Sequence, residues 1–388
     1  MAPENKTHKD KTHKARPTKS KKNSSHSDDR FAPPPPSADI HGAKELPSVL
    51  VEGYSLQLRG EQGFLGDQAS QTAFRELLER WRRRVRKKGK RDPLGHQHSR
   101  DLAKGTLDAA LKAGKATEAT DVVHAAIEEF AESLADVIRS FLRQPSWQGV
   151  ERIVVGGGFP ESDVGERAVL QAAAILQEMK VQVQLARICH EPDDAGLLGW
   201  LHLTPPELLE HYDAILALDI GGTNVRCGIV KTRRKRAADL SKAKVLRREK
   251  WRHADDGPNR RELVARLAEM LEAQVRYCEK KGIRLAPFVG IGCPGLIRKD
   301  GSIARGAQNM PGDWTSEHFH LPTELARKIP TIRGIPTMVL MHNDAVVQGL
   351  SELPFMRDLK RWAVLTIGTG MGNASYTNLE PAKRPKDD

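Results

Sequence analysis

Apolar residues recur along the chain at two spacings that separate helices from strands. From residue 130 onward, Phe130, Leu134, Val137 and Phe141 recur every three or four positions, which places them on one helical face. We read this stripe as core. The same pattern predicts helices over residues 68–88, 101–143, 168–179 and 261–280. Asp193 and Asp194 precede a further apolar run and predict a capped helix start there.

Short apolar runs predict the strands, and most of these runs end in polar or glycine-rich loops. The strand candidates cover residues 150–155, 181–188, 214–218, 225–230, 289–293, 338–341 and 362–367. Strands that alternate with helices indicate an α/β protein. In such proteins ligands gather at the carboxyl ends of the strands, so we expect the function to lie in these loops.

Composition limits the class of protein. At 388 residues and 39 % hydrophobic content, the chain can form two domains with real cores. Residues 1–45 are rich in Lys, Ser and Thr and include four consecutive prolines, which predicts a disordered basic tail. No uninterrupted apolar run is long enough for a membrane span, and the N-terminus lacks a signal-peptide pattern, so we expect a cytoplasmic protein that does not bind membranes.

Charge and cysteines add two exclusions. Lys and Arg number 62 against 50 Asp and Glu, but the excess lies in local runs without interleaved aromatic residues. We therefore expect a solvated face or a weak polyanion contact, and no specific nucleic-acid binding. The four cysteines have no metal-ligand spacing, so we expect reduced core thiols and no structural zinc.

Two glycine-rich turns carry candidate phosphate chemistry, because backbone N–H groups can approach phosphate oxygens where no Cβ intervenes. The first turn comprises Asp219, Ile220, Gly221, Gly222, Thr223 and Asn224. Its carboxylate would repel phosphate unless a cation lies between them, which predicts a magnesium ion at Asp219. The second turn comprises Gly368, Thr369, Gly370, Met371 and Gly372. The alternative interpretation is that hairpin tips need glycine for a positive φ.

Asp344 follows an apolar strand, where a carboxylate could take a proton from a bound hydroxyl group. Asn343 can donate and accept hydrogen bonds, as sugar hydroxyls require. The alternative is that Asp344 only caps the helix that begins at Ala345. The local sequence leaves these two interpretations open.

Several segments together resemble the ROK family of sugar kinases and sugar-responsive repressors, within the actin-like ATPase superfamily. The matching segments are LDIGGTNVR (218–226) and TIGTGMG (366–372) for the two phosphate loops, GIGCPG (290–295) and NMPGDW (309–314) on the sugar side, and HNDA (342–345) for the catalytic segment. The resemblance implies an α/β, two-lobed actin-like (ribonuclease H-like) ATPase fold.

The order of these motifs is unusual for the family. The glycines of VVGGG (154–158) and the segment DDAGLLG (193–199), which close the family's chains, here precede Asp219. We therefore interpret the chain as a circular permutant, with a truncated kinase behind an unrelated domain as the alternative. The predicted domains are the tail (1–45), a larger lobe from residues 46–190 and 355–388, and a smaller lobe from residues 191–354. We find no counterpart of the family's GExGH segment or of its zinc cluster.

The resemblance implies ATP-dependent phosphorylation of a hexose-like sugar with Mg²⁺. It implies Asp344 as the base and Asp219 as the metal-positioning residue. It implies phosphate contacts from Gly221, Gly222, Thr223, Asn224, Gly368, Thr369 and Gly370, room for adenosine at Gly156, Gly157 and Gly158, and sugar contacts from Asn309, Asn343 and Gly295. Polyphosphate as donor, a homodimer, and a non-catalytic sugar- or nucleotide-binding regulator stay open.

Overall fold

The computed structural model describes residues 41–61, 63–112, 117–307 and 310–379. The helices are α1 (Gln71–Lys87), α2 (Lys104–Lys112), α3 (Glu118–Leu142), α4 (Asp163–Glu178), α5 (Pro192–Leu198), α6 (Pro206–His211), α7 (His253–Asp256), α8 (Arg260–Lys280), α9 (Leu321–Lys328) and α10 (Asp344–Leu350).

The strands pair into two larger sheets and short two-stranded ribbons. They are β1 (Glu45–Leu46), β2 (Val49–Tyr54), β3 (Arg59–Gly60), β4 (Gly63–Phe64), β5 (Arg152–Gly156), β6 (Gln184–Arg187), β7 (Ala214–Ile220), β8 (Val225–Lys231), β9 (Lys244–Trp251), β10 (Leu285–Cys293), β11 (Leu296–Ile297), β12 (Ile303–Arg305), β13 (Thr331–Ile332), β14 (Ile335–Pro336), β15 (Met338–Asn343), β16 (Arg361–Ile367) and β17 (Met371–Asn378).

The two larger sheets have the same internal plan. The first sheet has the order β1-β2-β17-β16-β5-β6, and the second has the order β15-β10-β7-β8-β9. In the first, β2, β17 and β16 are antiparallel, and β5 and β6 continue parallel to β16. In the second, β9, β8 and β7 are antiparallel, and β10 and β15 continue parallel to β7. A central strand with a hairpin on one side and parallel strands on the other therefore occurs twice.

The first sheet takes strands from both ends of the described chain. Strand β17 lies near its C-terminal end and pairs with β2 near its N-terminal end, and the N–H of Leu379 donates to the carbonyl of Ser48 at 3.0 Å. The two ends of the described chain therefore lie side by side. A joint of few residues could connect them, which is the condition a circular permutation requires.

Helix α10 packs between the two sheets. Its residues Val346 and Leu350 are fully buried in the cluster that lines the first sheet, while its contacts extend to β10 and β15 of the second. Every residue of β10 is buried, as expected for a strand covered on both faces. The start of α10, which follows directly on β15, is thus held in place by both cores.

The predicted α/β architecture is confirmed, with differences in the boundaries. The helix predicted over 101–143 is two helices, α2 and α3. Helix α4 begins at Asp163, five residues before the predicted start, because the Ser162 hydroxyl caps it by accepting from the N–H of Gly165. The prediction that Asp193 and Asp194 cap a helix is wrong: both lie inside the first turn of α5, after Pro192.

Residues 41–45, which the sequence interpretation assigned to the tail, belong to the fold. The N–H of His41 donates to Lys299, and the N–H of Gly42 donates to Met341. The Nδ1 atom of His41 in turn accepts from the N–H of Met341 at 3.0 Å. The rest of the predicted tail lies outside the described residues.

Two features bear on the class of protein. None of the helices in the described ranges combines the length and the apolar character needed to cross a membrane. The four cysteines are free thiols; Cys227, Cys278 and Cys293 are buried, as predicted, whereas Cys189 is exposed.

We expect Gly199→Ala to destabilise the protein by about 3 kcal/mol or more, because it overpacks a closed contact. A Cβ on Gly199 would lie 1.7 Å from the carbonyl oxygen of Val347 in α10. Gly105→Ala is the matched control, since a Cβ at this exposed helical glycine meets nothing within 4 Å. Urea denaturation of both variants checks the prediction, and equal midpoints would contradict it.

Candidate active site

Asp219 and Asp344 lie at the carboxyl ends of neighbouring parallel strands. Strand β10 separates β7 from β15, and its Gly292 pairs with both Asp219 and His342. A Cβ on Gly292 would lie 3.6 Å from Asp219 Oδ1 and 3.7 Å from Asp344 Cα. Asp219 and Asp344 therefore both lie within contact distance of the same face of Gly292.

Burial and the neighbouring carboxylate change the acidity of Asp344. Desolvation by burial and, second to it, the charge of Asp219 together raise the pKa of Asp344 to about 7. A pKa near 7 suits a general base that works at neutral pH. Asp344 is thus a carboxylate that can both take and release a proton under ordinary conditions.

The helix α10 is capped by Asn343, which answers the question of whether Asp344 is only a cap. Asn343 Oδ1 accepts from the N–H groups of Ala345 and Val346, and Asp344 is the first helical residue. Asp344 Oδ1 also accepts from the N–H of Ala345 at 2.9 Å. Since Asn343 provides the cap, helix capping does not account for the carboxylate at position 344.

Asp219 is part of a charged network that the sequence motifs did not indicate. Arg226 donates to Asp219 at 3.0 Å and to Asp193 at 2.5 Å, and Lys250 donates to Asp193 at 2.9 Å. Burial raises the pKa of Asp219, and Arg226 opposes this shift. Gly196 in α5 allows the approach, because a Cβ there would lie 2.7 Å from the Asp219 carboxyl carbon.

The two predicted phosphate turns meet each other. The hydroxyl oxygens of Thr223 and Thr369 are 3.0 Å apart, although 146 residues separate them in the sequence. The first turn follows β7 of the second sheet, and the second turn follows β16 of the first sheet. The turns therefore face each other across the space between the sheets.

Hairpin geometry does not explain the glycines at these turns. Gly221, Gly368 and Gly370 all lie outside the left-handed region of φ that favours glycine. A Cβ on Gly370 would meet no described atom within 4 Å, and one on Gly368 would meet only Gly370 O, at 3.9 Å. Neither the backbone nor the packing of the described chain requires glycine at 368 and 370. The backbone at these two positions is therefore open to close approach by another group.

The glycines at 156–158 lie beside the second turn. Strand β5 pairs with β16, so that Gly156 is opposite Thr366. Gly157 has a φ of +89°, and a Cβ there would lie 2.5 Å from the carbonyl oxygen of Ile367. Gly158 accepts a hydrogen bond from Lys104. The structure thus brings Gly157 next to the predicted phosphate turn that begins at Gly368.

Of the predicted sugar-side residues, Asn343 and Gly295 are in contact. Asn343 Nδ2 donates to the carbonyl of Gly295 at 2.9 Å, and Asn343 is 3 % exposed. Gly295 has a φ of +105° and lies against Arg305 and Gly306. Both amide atoms of Asn343 are used within the chain, so its side chain holds the loop against α10. The predicted Asn309 lies outside the described residues.

The donor set is compatible with magnesium but does not form a complete protein cage. Among the described residues no group of three or more His, Cys, Asp or Glu side chains could enclose a metal ion. Mg²⁺ is commonly held by one or two carboxylates together with substrate phosphates and water. Asp219, beside the two predicted phosphate turns, offers one such carboxylate.

Several residues that hold the site are not marked by any predicted motif role. Arg226 closes the LDIGGTNVR segment, and Asp193 lies in DDAGLLG, so both were within quoted motifs, but their ion pair required the fold. Thr72 donates to the carbonyl of Thr369, and His253 is hydrogen-bonded to the carbonyl of Gly221. No sequence signal marks Thr72 or His253.

Comparison with known proteins finds partial similarity to sugar kinases. No family model matches the chain. The chain is 28 % identical over 166 residues to a glucokinase from Thermotoga maritima, which covers 42 % of this chain and 44 % of that protein. The match thus spans less than half the length of the curated relative.

Two solved structures also match in part. One is a candidate sugar kinase from Cytophaga hutchinsonii, with 23 % identity and a TM-score of 0.31 over 42 % of this chain and 47 % of that chain. The other is a candidate N-acetylmannosamine kinase from Listeria monocytogenes, with 26 % identity and a TM-score of 0.29 over the same shares. TM-scores of this size do not establish a common fold.

Proposed function

We propose that this protein transfers a phosphoryl group from ATP to a hydroxyl of a hexose-like sugar. The observation that carries the proposal is the convergence of Asp219, Asp344 and the two glycine turns, which come from distant parts of the chain. The partial similarity to a glucokinase supports the same reaction class. Phosphoryl transfer needs little beyond positioning and charge stabilisation, which is what these groups can supply.

Each residue has a role that follows from its place. Asp344 accepts the proton of the sugar hydroxyl, a contribution of roughly 10²–10⁴-fold in rate. Asn343 and Gly295 shape the sugar side, together with Asn309. The Gly221–Asn224 and Gly368–Gly370 turns hold phosphate oxygens through those backbone N–H groups that have no partner in the described chain, and Gly156–Gly158 leave room for adenosine.

Magnesium, when bound with ATP, would neutralise charge that develops on the phosphates. Asp219 is the residue that would hold it, with Arg226 as its counterion in the nucleotide-free chain. The Thr223 and Thr369 hydroxyls, which are hydrogen-bonded to each other without nucleotide, would each bind a phosphate oxygen when ATP is present. We expect polyphosphate to compete for the same turns if it serves as donor.

Circular permutation belongs to the same proposal. The repeated plan of the two sheets and the adjacency of Ser48 and Leu379 support it. In a chain that is not permuted, the strands that correspond to β16 and β17 would come first in the first sheet. The strands that correspond to β2, β5 and β6 would follow them in the sequence. The proposed lobes are residues 46–190 with 355–388, and residues 191–354.

We expect kcat/KM for the sugar to fall about tenfold per pH unit below pH 7 and to be flat above it. Asp344 must be ionised to act as a base, and its pKa is about 7. Initial rates between pH 5 and 9, with saturating MgATP, check this. A profile that is flat from pH 5 to 8 would contradict the assignment.

The proposed function is tested by ADP release from ATP across a sugar panel that includes glucose and N-acetylmannosamine. Turnover that depends on a sugar supports the kinase, and a parallel series with polyphosphate identifies the donor. A sugar-binding regulator predicts sugar or nucleotide binding by calorimetry with no ADP formed. That outcome would overturn the proposal, and the lack of a GExGH segment is what motivates testing it.

A further inference from the structure

Backbone carbonyls of both glycine turns are held by the first turns of helices. The carbonyl of Thr369 accepts from the Thr72 hydroxyl at 2.9 Å, and that of Gly368 accepts from the N–H of Gln71 at 2.9 Å. Thr72 and Gln71 open α1, and Thr72 is 297 residues from Thr369 in the sequence. The start of α1 therefore binds two successive carbonyls of the second turn.

The first turn is held in the same manner by the start of α7. His253 Nε2 lies 2.9 Å from the carbonyl oxygen of Gly221, and the N–H of Ala254 donates to the carbonyl of Thr223 at 3.3 Å. A carbonyl can only accept, so Nε2 of His253 carries the hydrogen. His253 is 3 % exposed, which fixes the ring.

These contacts decide which groups each turn presents to a ligand. A carbonyl oxygen carries partial negative charge, and one that pointed at a phosphate would cancel the attraction of the neighbouring N–H groups. The Gly221 N–H already donates to Asn224. Among the described residues, none accepts from the N–H groups of Gly222 or Thr223. Those N–H groups thus remain for an anion, and the Thr223 hydroxyl, which lies 3.0 Å from that of Thr369, stands beside them.

We propose that Thr72 and His253 are positioning residues of an anion site formed by the two glycine turns. Each binds a carbonyl of one turn, keeps that carbonyl away from the space between the turns, and so leaves N–H and hydroxyl donors for the phosphates of a nucleotide. The identity of the ligand rests on the proposed function; the arrangement of the carbonyls does not. Neither residue needs to touch the reacting atoms.

The test is calorimetric titration of MgATP, without sugar, into the full chain and its variants. Thr72→Val removes the donor but keeps the shape, and we expect a Kd about 3- to 10-fold weaker, the range for loss of one neutral hydrogen bond. Thr72→Ser keeps the donor and should bind within about twofold of wild type. Thr106→Val makes the same change at an exposed position in the first turn of α2 and should bind like wild type.

Variants of His253 test the same inference independently of Thr72. We expect His253→Ala to weaken MgATP binding and His253→Gln, whose amide can still donate, to restore part of it. Thr72→Val and His253→Ala should raise KM for ATP more than they lower kcat, and leave the sugar Kd unchanged. Thr72→Val with wild-type affinity, or Thr72→Ser as weak as Thr72→Val, would overturn the inference.

Hydrogen exchange of the nucleotide-free protein separates the inference from the proposed function. We expect Thr72→Val to speed exchange in the peptide that contains Gly368–Gly372, and Thr106→Val to leave it unchanged. A wild type that binds no MgATP would overturn the proposed function. The exchange data alone would then test the inference. Faster exchange of the Gly368–Gly372 peptide in Thr72→Val would support the role of the Thr72 contact in ordering the second turn, and unchanged exchange would overturn it.

Discussion

Asp344→Asn should lower sugar-dependent ADP formation by roughly 10²–10⁴-fold, because the amide cannot accept the hydroxyl proton. The same change should make the protein more stable at pH 8. The folded-state pKa of Asp344 is raised from 3.8 to about 7, so the folded protein holds this proton more tightly than the unfolded chain does. Stability is therefore lost as pH rises between about 4 and 7, and the loss is complete above pH 7.

The expected gain for Asp344→Asn at pH 8 is about 2–4 kcal/mol, less than the full linkage value because Asp344 keeps part of its surface in water. The gain should shrink toward zero near pH 4. Denaturation curves at the two pH values and the ADP assay check both parts. Asp136→Asn, at an exposed position on α3, is the control and should change neither the stability at pH 8 nor the rate of ADP formation. A variant that keeps turnover, or gains nothing at pH 8, would contradict the role of Asp344.

Arg226→Met should destabilise the protein by about 3 kcal/mol. Removing the guanidinium leaves the carboxylate of Asp219 in a site where its side chain is only 13 % exposed, and breaking one side of such a pair costs more than the pair contributes. The pKa of Asp219 should rise as a result. Adding Asp219→Asn should recover much of the loss, because the unpaired charge is then absent.

Arg266→Met is a matched control for Arg226→Met. Arg266 also pairs with two carboxylates, Glu249 and Glu269, but its side chain is 44 % exposed. Exposed pairs contribute about 0–1 kcal/mol, so this variant should unfold at nearly the wild-type denaturant concentration. Equal losses of unfolding free energy in Arg226→Met and Arg266→Met would contradict the prediction, because the buried position of Arg226 would then make no difference to stability.

The sequence was most informative where a fully buried strand met a polar loop. The strand preceding Asp344 and the one preceding Gly368 each contain four consecutive apolar residues, because both faces of those strands are covered. Strand β9 (Lys244–Trp251) was missed, since it lies at the edge of its sheet and contains only exposed and partly buried residues. Edge strands lack the continuous apolar run that identifies central ones.

Pairings between distant residues could not be predicted from local patterns. Asp193 looked like a helix cap because Asp is common there, yet it pairs with Arg226 through the packing of α5 against β8. The hydrogen bond from Thr72 to Thr369 depends on where α1 begins relative to β16. Such contacts are set by tertiary packing, which a pattern along the chain does not encode.

The proposed reaction requires one cleft that holds both a sugar hydroxyl and a triphosphate. A crystal structure with Mg²⁺, a non-hydrolysable ATP analogue and the sugar that gives turnover tests this most directly. We expect the terminal phosphates between Thr223 and Thr369 and a sugar hydroxyl about 3 Å from the Asp344 carboxylate. A triphosphate bound away from both glycine turns, or a sugar out of reach of Asp344, would contradict it.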